Sequence, residues 1–352
     1  MNKNLPIVIP SYEPDECLYS ACKGIIDAGY SNIIVINDGS EKEYDTFFEQ
    51  VKNELGVILL THEVNKGKGR ALKTAFEYIL TNMPDAIGCV TADSDGQHLP
   101  KDIQKCMQAL IDNPNALVLG CRDFSGDHVP PKSRFGNELT KKICSTFCGV
   151  KVSDTQTGLR GISAGFMREL LEVKGERFEF ETYMLIETKN KHEIVEVEIE
   201  TVYDSKENHK THFNPVLDSI RIYKIFFGMF VKYLFSSLSS CVLDIALFAL
   251  FSLLFKNSFP VFYATIATVL ARVISATYNC LINYKFVFNS NKNITKSIVK
   301  YFTLAAIQML TSAALVTGGV WLFKFIPDVV IKLIVDTVLF FASYFIQKKF
   351  VF

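Results

Sequence analysis

The sequence predicts an α/β domain followed by an all-α transmembrane domain, and two observations carry this prediction. In the first 210 residues, short runs rich in Ile, Val and Leu alternate with stretches of helical periodicity, an order typical of a parallel sheet with helices on both faces. After residue 228, four apolar stretches approach the ~20 residues that a helix needs to cross a bilayer. We expect a head domain over 1–210, an amphipathic linker over 211–228 and a membrane domain over 229–352.

Strands and helices of the head domain are predicted to follow one another along the chain. We expect strands near 7–9, 33–36, 57–60, 87–91 and 116–119, and helices near 18–28, 44–55 and 69–80. Ligands of parallel sheets bind beyond the carboxyl ends of the strands. The residues that follow each strand are therefore the candidates for a functional site.

Residues that suit a nucleotide follow three of these strands. They are Pro10-Ser11-Tyr12-Glu13, Asn37-Asp38-Gly39-Ser40 and Asp93-Ser94-Asp95. Mg²⁺ and Mn²⁺ prefer oxygen ligands and often take one or two protein carboxylates, with water and substrate phosphates completing the shell. The third motif therefore predicts a divalent-metal site, although an ordinary Asp-rich turn has the same composition.

A loop with two glycines precedes the third predicted helix. In Asn65-Lys66-Gly67-Lys68-Gly69-Arg70, glycine permits close approach of the backbone, and a helix amino terminus with Lys side chains favours an anion. The loop lacks the spacing and the final Lys-Ser or Lys-Thr of a Walker motif. A phosphate-binding loop and a plain helix start both remain open.

The net charge of zero hides two unlike parts. Residues 229–352 carry 11 Lys and Arg against three Asp, which leaves 26 basic and 34 acidic residues in 1–228. The apolar stretches cover about 229–255, 260–282, 301–323 and 329–346, and Lys residues crowd the link between the second and third stretches and the end of the fourth. By the positive-inside rule, we expect a multi-pass protein of the cytoplasmic (inner) membrane, with the head domain and both termini in the cytoplasm.

The membrane domain repeats itself. Val231-Lys232-Tyr233 and Val299-Lys300-Tyr301 open the first and third stretches, and Phe286-Val287-Phe288 and Phe350-Val351-Phe352 close the second and fourth. The pattern predicts two helical hairpins, an arrangement also found in transporters, with chance similarity of Phe- and Val-rich ends as the alternative. Polar residues are costly inside a membrane. We therefore expect five polar residues to face the bundle interior: Asp244, Arg272, Asn279, Asn283 and Asp336. Asp244 and Arg272 are expected to pair.

Taken in order, the head motifs resemble those of family 2 glycosyltransferases with the GT-A fold (Rossmann-like nucleotide-diphospho-sugar transferases). Within that family they resemble the polyprenyl-phosphate enzymes of the dolichol-phosphate mannose synthase and undecaprenyl-phosphate glycosyltransferase type. The resemblance covers roughly residues 5–227 and includes Gly120-Cys121-Arg122, Ser133-Arg134 and the run Asp154-Thr155-Gln156-Thr157-Gly158. The tail resembles the GtrA-like membrane domain, through the polar residues that lead into Tyr284-Lys285-Phe286-Val287-Phe288.

The resemblance implies ligands for each matching position. The base and ribose are implied at Pro10, Tyr12, Glu13 and Asp38. Mg²⁺ or Mn²⁺ and the donor diphosphate are implied at Asp93, Asp95 and Gln97, with Lys68 and Lys206 near the same phosphates. The acceptor phosphate is implied at Arg122 and Arg134, and the sugar pocket at Asp154 and Gln156. The implied catalytic set is Asp93, Asp95, Arg122, Arg134 and Asp154.

The resemblance implies an inverting hexosyltransferase that moves one sugar from a nucleotide sugar of the UDP-glucose or GDP-mannose type to polyprenyl phosphate, for cell-envelope glycan or glycoprotein synthesis. A lipid phosphate is already ionised, so its attack on the sugar needs no strong base. Two alternatives stay open: a glycan or glycolipid acceptor, and a tail that translocates the glycosylated lipid. The first is disfavoured because processive synthases usually carry Gln-x-x-Arg-Trp, whereas Trp321 lies in an apolar stretch.

We expect membrane association, no nucleic-acid partner, and homo-oligomers with an open number of subunits.

Overall fold

The structure, a computed structural model, describes residues 5–123, 131–189, 191–200, 217–290 and 292–352. The chain divides into two compact units, Met1–Phe226 and Phe227–Phe352. The first contains a sheet with helices on both faces, and the described residues of the second form helices and no strand.

A seven-stranded sheet forms the centre of the first unit. Its strands are β1 (Ile7–Ser11), β2 (Ile33–Asn37), β3 (Ile58–Thr61), β4 (Gly88–Thr91), β5 (Leu117–Arg122), β6 (Arg160–Ser163) and β7 (Ile194–Ile199). Their order across the sheet is β3-β2-β1-β4-β6-β5-β7. β6 runs antiparallel to β4 and β5, and the other described strand pairs are parallel. The predicted α/β class is therefore confirmed.

The parallel sheet that the order of elements predicts is interrupted at β6, which runs antiparallel to its neighbours. All four residues of this strand, Arg160-Gly161-Ile162-Ser163, are buried, but they form neither an apolar run nor an alternating pattern. The Arg160 side chain stays inside because its Nε donates to the carbonyl of Thr157 at 2.9 Å and its Nη1 to that of Glu181 at 2.8 Å. Pairing with strands on both sides, rather than composition, makes this segment a strand.

Seven helices cover the sheet in the described part of the first unit. They are α1 (Glu16–Asp27), α2 (Asp45–Leu55), α3 (Lys68–Asn82), α4 (Pro100–Asp112), α5 (Pro131–Ile143), α6 (Ala164–Leu171) and α7 (Glu179–Glu187). Alternate side chains of the strands, such as Ile7 and Ile9, belong to one buried cluster with Leu18 of α1 and Ile103 of α4. Each such side chain contributes about 1.5–3 kcal/mol by leaving water. The resulting core holds the carboxyl ends of β1, β2 and β4 at one edge.

The second unit consists of four long helices. They are α8 (Leu217–Phe255), which belongs to this unit from Phe227 onward, α9 (Tyr263–Ile282), α10 (Ile294–Leu322) and α11 (Asp328–Ile346). Four segments are long and apolar enough to cross a membrane: Phe227–Phe255, Tyr263–Val287, Ile294–Leu322 and Asp328–Val351. From Leu217 onward the predicted linker is helical and continuous with the first of these segments, so its described part is not a separate helix.

The internal repeat is visible in the contacts of these helices. α9 and α11 each continue into a π-helical turn, Asn283–Val287 and Gln347–Val351. These turns meet where Asn283 Nδ2 donates to Gln347 Oε1 at 3.1 Å. Tyr301 of the second hairpin donates to Asn279 Oδ1 of the first at 2.9 Å. The hairpins are thus joined through polar side chains, of which Asn283 and Gln347 are buried and occupy equivalent positions of the repeat.

The expected position of the polar membrane residues is only partly correct. Asn279 and Asn283 are buried, and Arg272 Nη2 lies 3.2 Å from Asp244 Oδ2, as the predicted pair requires. The expectation of an interior position is wrong for the Arg272 side chain, which is 71% exposed, and for Asp336, which is 47% exposed. Asp336 instead pairs with Lys332 one turn earlier on the same helix at 2.8 Å.

The Asn283–Gln347 contact should be measurable as a coupling energy. Asn283→Leu or Gln347→Leu alone should destabilise the full chain by about 0.6–1.7 kcal/mol, because each leaves a buried amide without this partner. The double variant should lose less than the sum of the two. A double-mutant cycle of unfolding in mixed micelles with increasing sodium dodecyl sulfate measures this. Additive losses would contradict the contact.

Candidate active site

The Asp38 carboxylate fastens the loop before α3 to the end of β2. Asp38 Oδ1 accepts the backbone N–H of Lys66 at 3.0 Å, and Oδ2 accepts that of Gly67 at 2.7 Å. The buried His62 ring adds a contact from Nδ1 to Asp38 Oδ1 at 2.7 Å. The sequence predicted that this loop and the amino terminus of α3 favour an anion. The Asp38 carboxylate is an anion of the same chain that binds there.

Gly67 could not be replaced by a larger residue in this loop. Its φ is +99°, and a Cβ atom there would lie 2.4 Å from the carbonyl oxygen of Glu176. The loop therefore packs tightly against the segment before α7. Lys68, the first residue of α3, is placed by this packing.

The ends of β1 and β2 are joined side by side. The backbone N–H of Glu13, whose φ is +46°, donates to Ser40 Oγ at 2.8 Å. Ser40 N–H donates in turn to Asn37 Oδ1 at 2.9 Å. A hydrogen bond between the side chains of Tyr12 and Glu13, with burial, raises the pKa of Tyr12 to about 12, so its phenol stays protonated near neutral pH.

Lys68 lies between two carboxylates. Its Nζ is 2.7 Å from Asp93 Oδ1 and 3.1 Å from Glu181 Oε1 on α7. The second oxygen of Asp93 is 3.3 Å from His98 Nε2. The structure thus brings together the loop before α3, the end of β4 and α7 in one charged cluster.

Lys68 and its carboxylate partners stabilise one another's ionised forms. Burial disfavours the charged form of Lys68, but Asp93 and Glu181 outweigh it and hold the pKa of Lys68 above its usual range. Burial likewise disfavours the charged Asp93 carboxylate, yet Lys68 and His98 keep its pKa well below the usual range. Burial and the neighbouring charge of Asp93 raise the pKa of Asp95. Additional positive charge beside Asp95 would therefore be favourable.

Asp93 and Asp95 lie in a tight turn that follows β4. Gly96 has a φ of +76°, and Asp95 Oδ1 accepts the backbone N–H of Gln97 at 3.0 Å. Among the described residues, no group of three His, Cys, Asp or Glu side chains is placed to hold a metal ion. Two neighbouring carboxylates are nevertheless a donor set that Mg²⁺ accepts when substrate phosphates and water complete its shell.

A second ion pair lies at the end of β5. The Arg122 guanidinium donates through Nε to Asp154 Oδ2 at 2.7 Å and through Nη2 to Asp154 Oδ1 at 3.2 Å. Asp154 is fully buried, and its Oδ1 also accepts the N–H of Gln156 at 3.0 Å. This two-point pairing occupies the carboxylate and fixes the loop that follows.

That loop reaches the charged cluster at Gly158. A Cβ atom at Gly158 would lie 2.2 Å from Asp93 Oδ2, so only glycine allows this approach. The carbonyl of Gly158 accepts from Thr91 Oγ1 at 2.7 Å, which ties the loop to β4. The 154–158 segment therefore borders the Asp93 carboxylate.

The remaining predicted site residues differ in their placement. Pro10 is buried within β1, whereas Gln156 is exposed beside the Arg122–Asp154 pair. Arg134 is exposed on α5. Lys206 lies outside the described residues.

Three residues of this region were not predicted from the sequence: His62, His98 and Glu181. His98 lies three residues after Asp95, and that proximity was an available signal. His62 and Glu181 are distant in sequence from the groups that they contact. Only the fold brings them into the site.

Comparison with known proteins identifies the family of the chain. Residues 7–175 match the model of glycosyl transferase family 2. A Methanococcus voltae protein named UDP-N-acetylglucosamine–dolichyl-phosphate N-acetylglucosaminyltransferase is 32% identical over 226 residues, 57% of this chain and 87% of that protein. An uncharacterised protein of Methanocaldococcus jannaschii is 31% identical over 202 residues, 56% of this chain and 81% of that protein. The chain belongs to glycosyl transferase family 2.

Solved structures also resemble the chain. The Mycobacterium tuberculosis glucosyl-3-phosphoglycerate synthase in complex with Mn²⁺, UDP and glucosyl-3-phosphoglycerate has a TM-score of 0.47 at 15% identity. The similarity covers 64% of this chain and 80% of that one.

The position of Lys68 should depend on Glu181. Glu181→Gln removes one of its two carboxylate partners and should destabilise the protein by about 1–3 kcal/mol. The first unfolding transition of the full chain should therefore fall by several degrees on heating. Glu77→Gln is the matched control, because the Glu77 side chain is 56% exposed and lies 3.8 Å from Arg70. Equal midpoints for the two variants would contradict the contact.

Proposed function

We propose that the protein transfers a single sugar from a nucleoside diphosphate sugar to a polyprenyl phosphate, with inversion at the anomeric carbon. The observation that carries the proposal is the Lys68–Asp93 pair, 2.7 Å apart beside Asp95, in a family 2 chain that also has four helices of membrane-spanning length. The named Methanococcus voltae relative supports a lipid phosphate as acceptor and a UDP-linked sugar as donor. The product would be a polyprenyl-phosphate sugar made by a hexosyltransferase.

The proposed reaction is a single displacement. An oxygen of the lipid phosphate bonds to the anomeric carbon while the bond from that carbon to the donor diphosphate breaks, so the nucleoside diphosphate leaves with the electron pair. Lys68 would stabilise the charge that develops on the departing diphosphate. Asp154 does not act as a base in this scheme, because Arg122 pairs with both of its oxygens.

The other predicted residues fit donor and acceptor roles around this step. Tyr12 and Glu13, held beside Ser40, would contact the nucleoside, while Asp38 would position the loop that carries Lys68. Gln156 would face the sugar. Arg122 pairs with Asp154, so less of its guanidinium could contact an acceptor phosphate. Arg134 and Lys206 would then supply much of the positive charge for that phosphate.

A divalent cation, Mg²⁺ or Mn²⁺, fits the donor set of Asp93, Asp95 and Gln97. Bound there, it would supply positive charge to the donor diphosphate. The raised pKa of Asp95 beside the Asp93 charge supports this assignment, because a cation would relieve the repulsion between the two carboxylates.

The second unit is proposed to be a GtrA-like membrane domain of two hairpins. The Lys-rich ends of its helices would face the cytoplasm and place the head domain at the inner leaflet of the cytoplasmic membrane. Exposed charges such as Arg272 within the spans are also compatible with a homo-oligomer.

Sugar transfer tests the proposal directly. Purified full-length protein should convert undecaprenyl or dolichyl phosphate to a mild-acid-labile glycolipid with one member of a panel of radiolabelled UDP-N-acetylglucosamine, UDP-glucose and GDP-mannose. Asp95→Asn should lower the rate by about 100-fold or more, because the leaving diphosphate loses its charge stabilisation. Asp85→Asn, an exposed aspartate, is the matched control and should retain activity.

Polyprenol without phosphate should yield no product. If nucleotide sugars bind but no donor yields a lipid product, the lipid-phosphate acceptor is wrong, and a glycan or glycolipid acceptor becomes the better hypothesis.

Metal removal should weaken nucleotide binding as well as transfer. Chelation with EDTA should lower the affinity for UDP, measured by calorimetry, and Mn²⁺ or Mg²⁺ should restore it, because such ions are bound through carboxylates together with substrate phosphates. The Asp95→Asn variant should bind UDP weakly with or without metal, while Asp85→Asn should behave like the wild type. Metal-independent affinity in the wild type would refute the cation site.

A further inference from the structure

A groove with mixed polar and apolar lining opens between α8 and the end of α9 with the π-helical turn that follows it. Its volume is about 520 Å³. Lys232, Ser236 and Ser239 line it from α8, and its apolar walls include Phe235, Ile282 and Phe286. The lining contains a cation and hydroxyl groups but no Asp or Glu, so its charge suits an anion.

The polar lining continues from the groove into the apolar span as a polar seam. The seam consists of Ser236, Ser239, Ser240, Asp244, Arg272, Ser275, Tyr278 and Asn279. Ser240 Oγ donates to the carbonyl of Ser275 at 2.9 Å, and Ser275 Oγ donates to Asp244 Oδ1 at 2.8 Å. From Lys232 to Asp244 the helix rises about 18 Å, which is more than half of the ~30 Å hydrocarbon core.

In the second hairpin only the deeper part of such a seam is polar, because at the positions equivalent to Asp244 and Arg272 the Ser312 hydroxyl donates to Asp336 Oδ1 at 2.6 Å. When the repeats are aligned on their shared Val-Lys-Tyr and Phe-Val-Phe motifs, Ser236 and Ser239 correspond to Leu304 and Ile307. The positions of Ser275 and Tyr278 on the other helix are taken by Leu339 and Ala342. The hydroxyl groups next to the groove, on Ser236, Ser239 and Tyr278, are therefore particular to the first hairpin.

Part of the polar seam is open at the surface of the unit. Ser239 is exposed, Tyr278 is half-buried, and the Arg272 side chain is 71% exposed although it pairs with Asp244. An arginine at the centre of a membrane helix costs about 2.5–3.5 kcal/mol or more when it faces lipid tails. An anionic headgroup beside the seam would offset this cost.

We propose that the groove and the polar seam bind the phosphate headgroup of a polyprenyl phosphate. The phosphate would contact Lys232 and the Ser239 hydroxyl, and the isoprenoid chain would lie along Phe235 and Phe286. Arg272 offers the headgroup a second cationic position deeper in the span. This inference rests on the proposed function for the identity of the lipid, and it gives the membrane domain the role of supplying acceptor to the head domain.

Lipid binding to the full chain tests the inference. The protein is placed in phosphatidylcholine nanodiscs, and the affinity for undecaprenyl phosphate is measured by native mass spectrometry. The double variant Lys232→Gln/Ser239→Ile changes two exposed side chains and should weaken binding about tenfold, equivalent to about 1.4 kcal/mol. In the transfer assay it should raise KM for the lipid by a similar factor and leave kcat nearly unchanged. Ser239→Ile alone is the second variant if the double variant folds poorly.

The internal repeat provides a matched control. Lys300→Gln/Thr303→Ile makes the same change of charge and a similar change of hydroxyl to alkyl on exposed positions of the second hairpin, and it should bind undecaprenyl phosphate like the wild type. Equal losses in both double variants, or no loss in either, would overturn the proposed site. Equal competition by phosphatidylglycerol would overturn it too, because the groove would then bind bulk anionic lipid.

The two proposals fail in different ways. Wild-type transfer with unchanged affinity in the seam variant would leave the enzyme function standing and remove the lipid site. Seam-dependent binding without sugar transfer from any donor would support the lipid site and remove the proposed function.

Discussion

The frame of the candidate active site depends on the Asp38 carboxylate. It is buried at the end of β2 and accepts two backbone N–H groups of the loop that begins α3. A buried carboxylate is costly unless it is well hydrogen-bonded, and here the loop meets that need while the carboxylate complements the positive end of the helix dipole. Because the loop is held in this way, Lys68 begins α3 within reach of Asp93.

The charged cluster around Lys68 is assembled from distant parts of the chain. Asp93 follows β4, and Glu181 comes from α7. Lys68 and Arg160, whose Nε lies 3.9 Å from Glu181 Oε1, balance the Asp93 and Glu181 carboxylates, and Asp95 adds a negative charge close by. Such a surplus is unfavourable by itself, and it is the electrostatic arrangement that a divalent cation together with an anionic diphosphate would balance.

The two hairpins of the second unit contact each other through equivalent residues, but the helix contacts within each hairpin differ. At the contact between hairpins, Asn283 and Gln347 pair in the interior, where amide groups need partners. Within the first hairpin, serines and an ion pair form a polar seam that reaches the surface, whereas the second hairpin is polar only at the deeper positions, where Ser312 donates to Asp336. The contact between the hairpins uses equivalent positions of both repeats. The helix contacts within each hairpin differ, because those of the first hairpin are more polar. An asymmetry of this kind points to a function located on one side of the unit.

Much of the fold could be predicted from the sequence, because local patterns determine it. Apolar runs of strand length, helical periodicity and four long apolar stretches gave the α/β class and the four membrane-length helices, and the Asp93-Ser94-Asp95 motif marked the end of β4. Strand β6 could not be predicted, since Arg160-Gly161-Ile162-Ser163 has no strand pattern and is held by pairing on both sides.

The details of the site belong to the tertiary structure. A sequence motif shows which chemical groups are present, but it does not show what those groups contact. The fold gives Asp38 the loop before α3 as its partner, pairs Arg122 with Asp154, and brings Glu181 to Lys68. It also leaves Arg272 at the surface of its unit, although the cost of charge in a membrane predicted an interior position. The sequence by itself determined the classes of element and the chemistry available at the strand ends. Only the packing of segments far apart in the chain decided which charges meet, because electrostatic partners are set by distance in space.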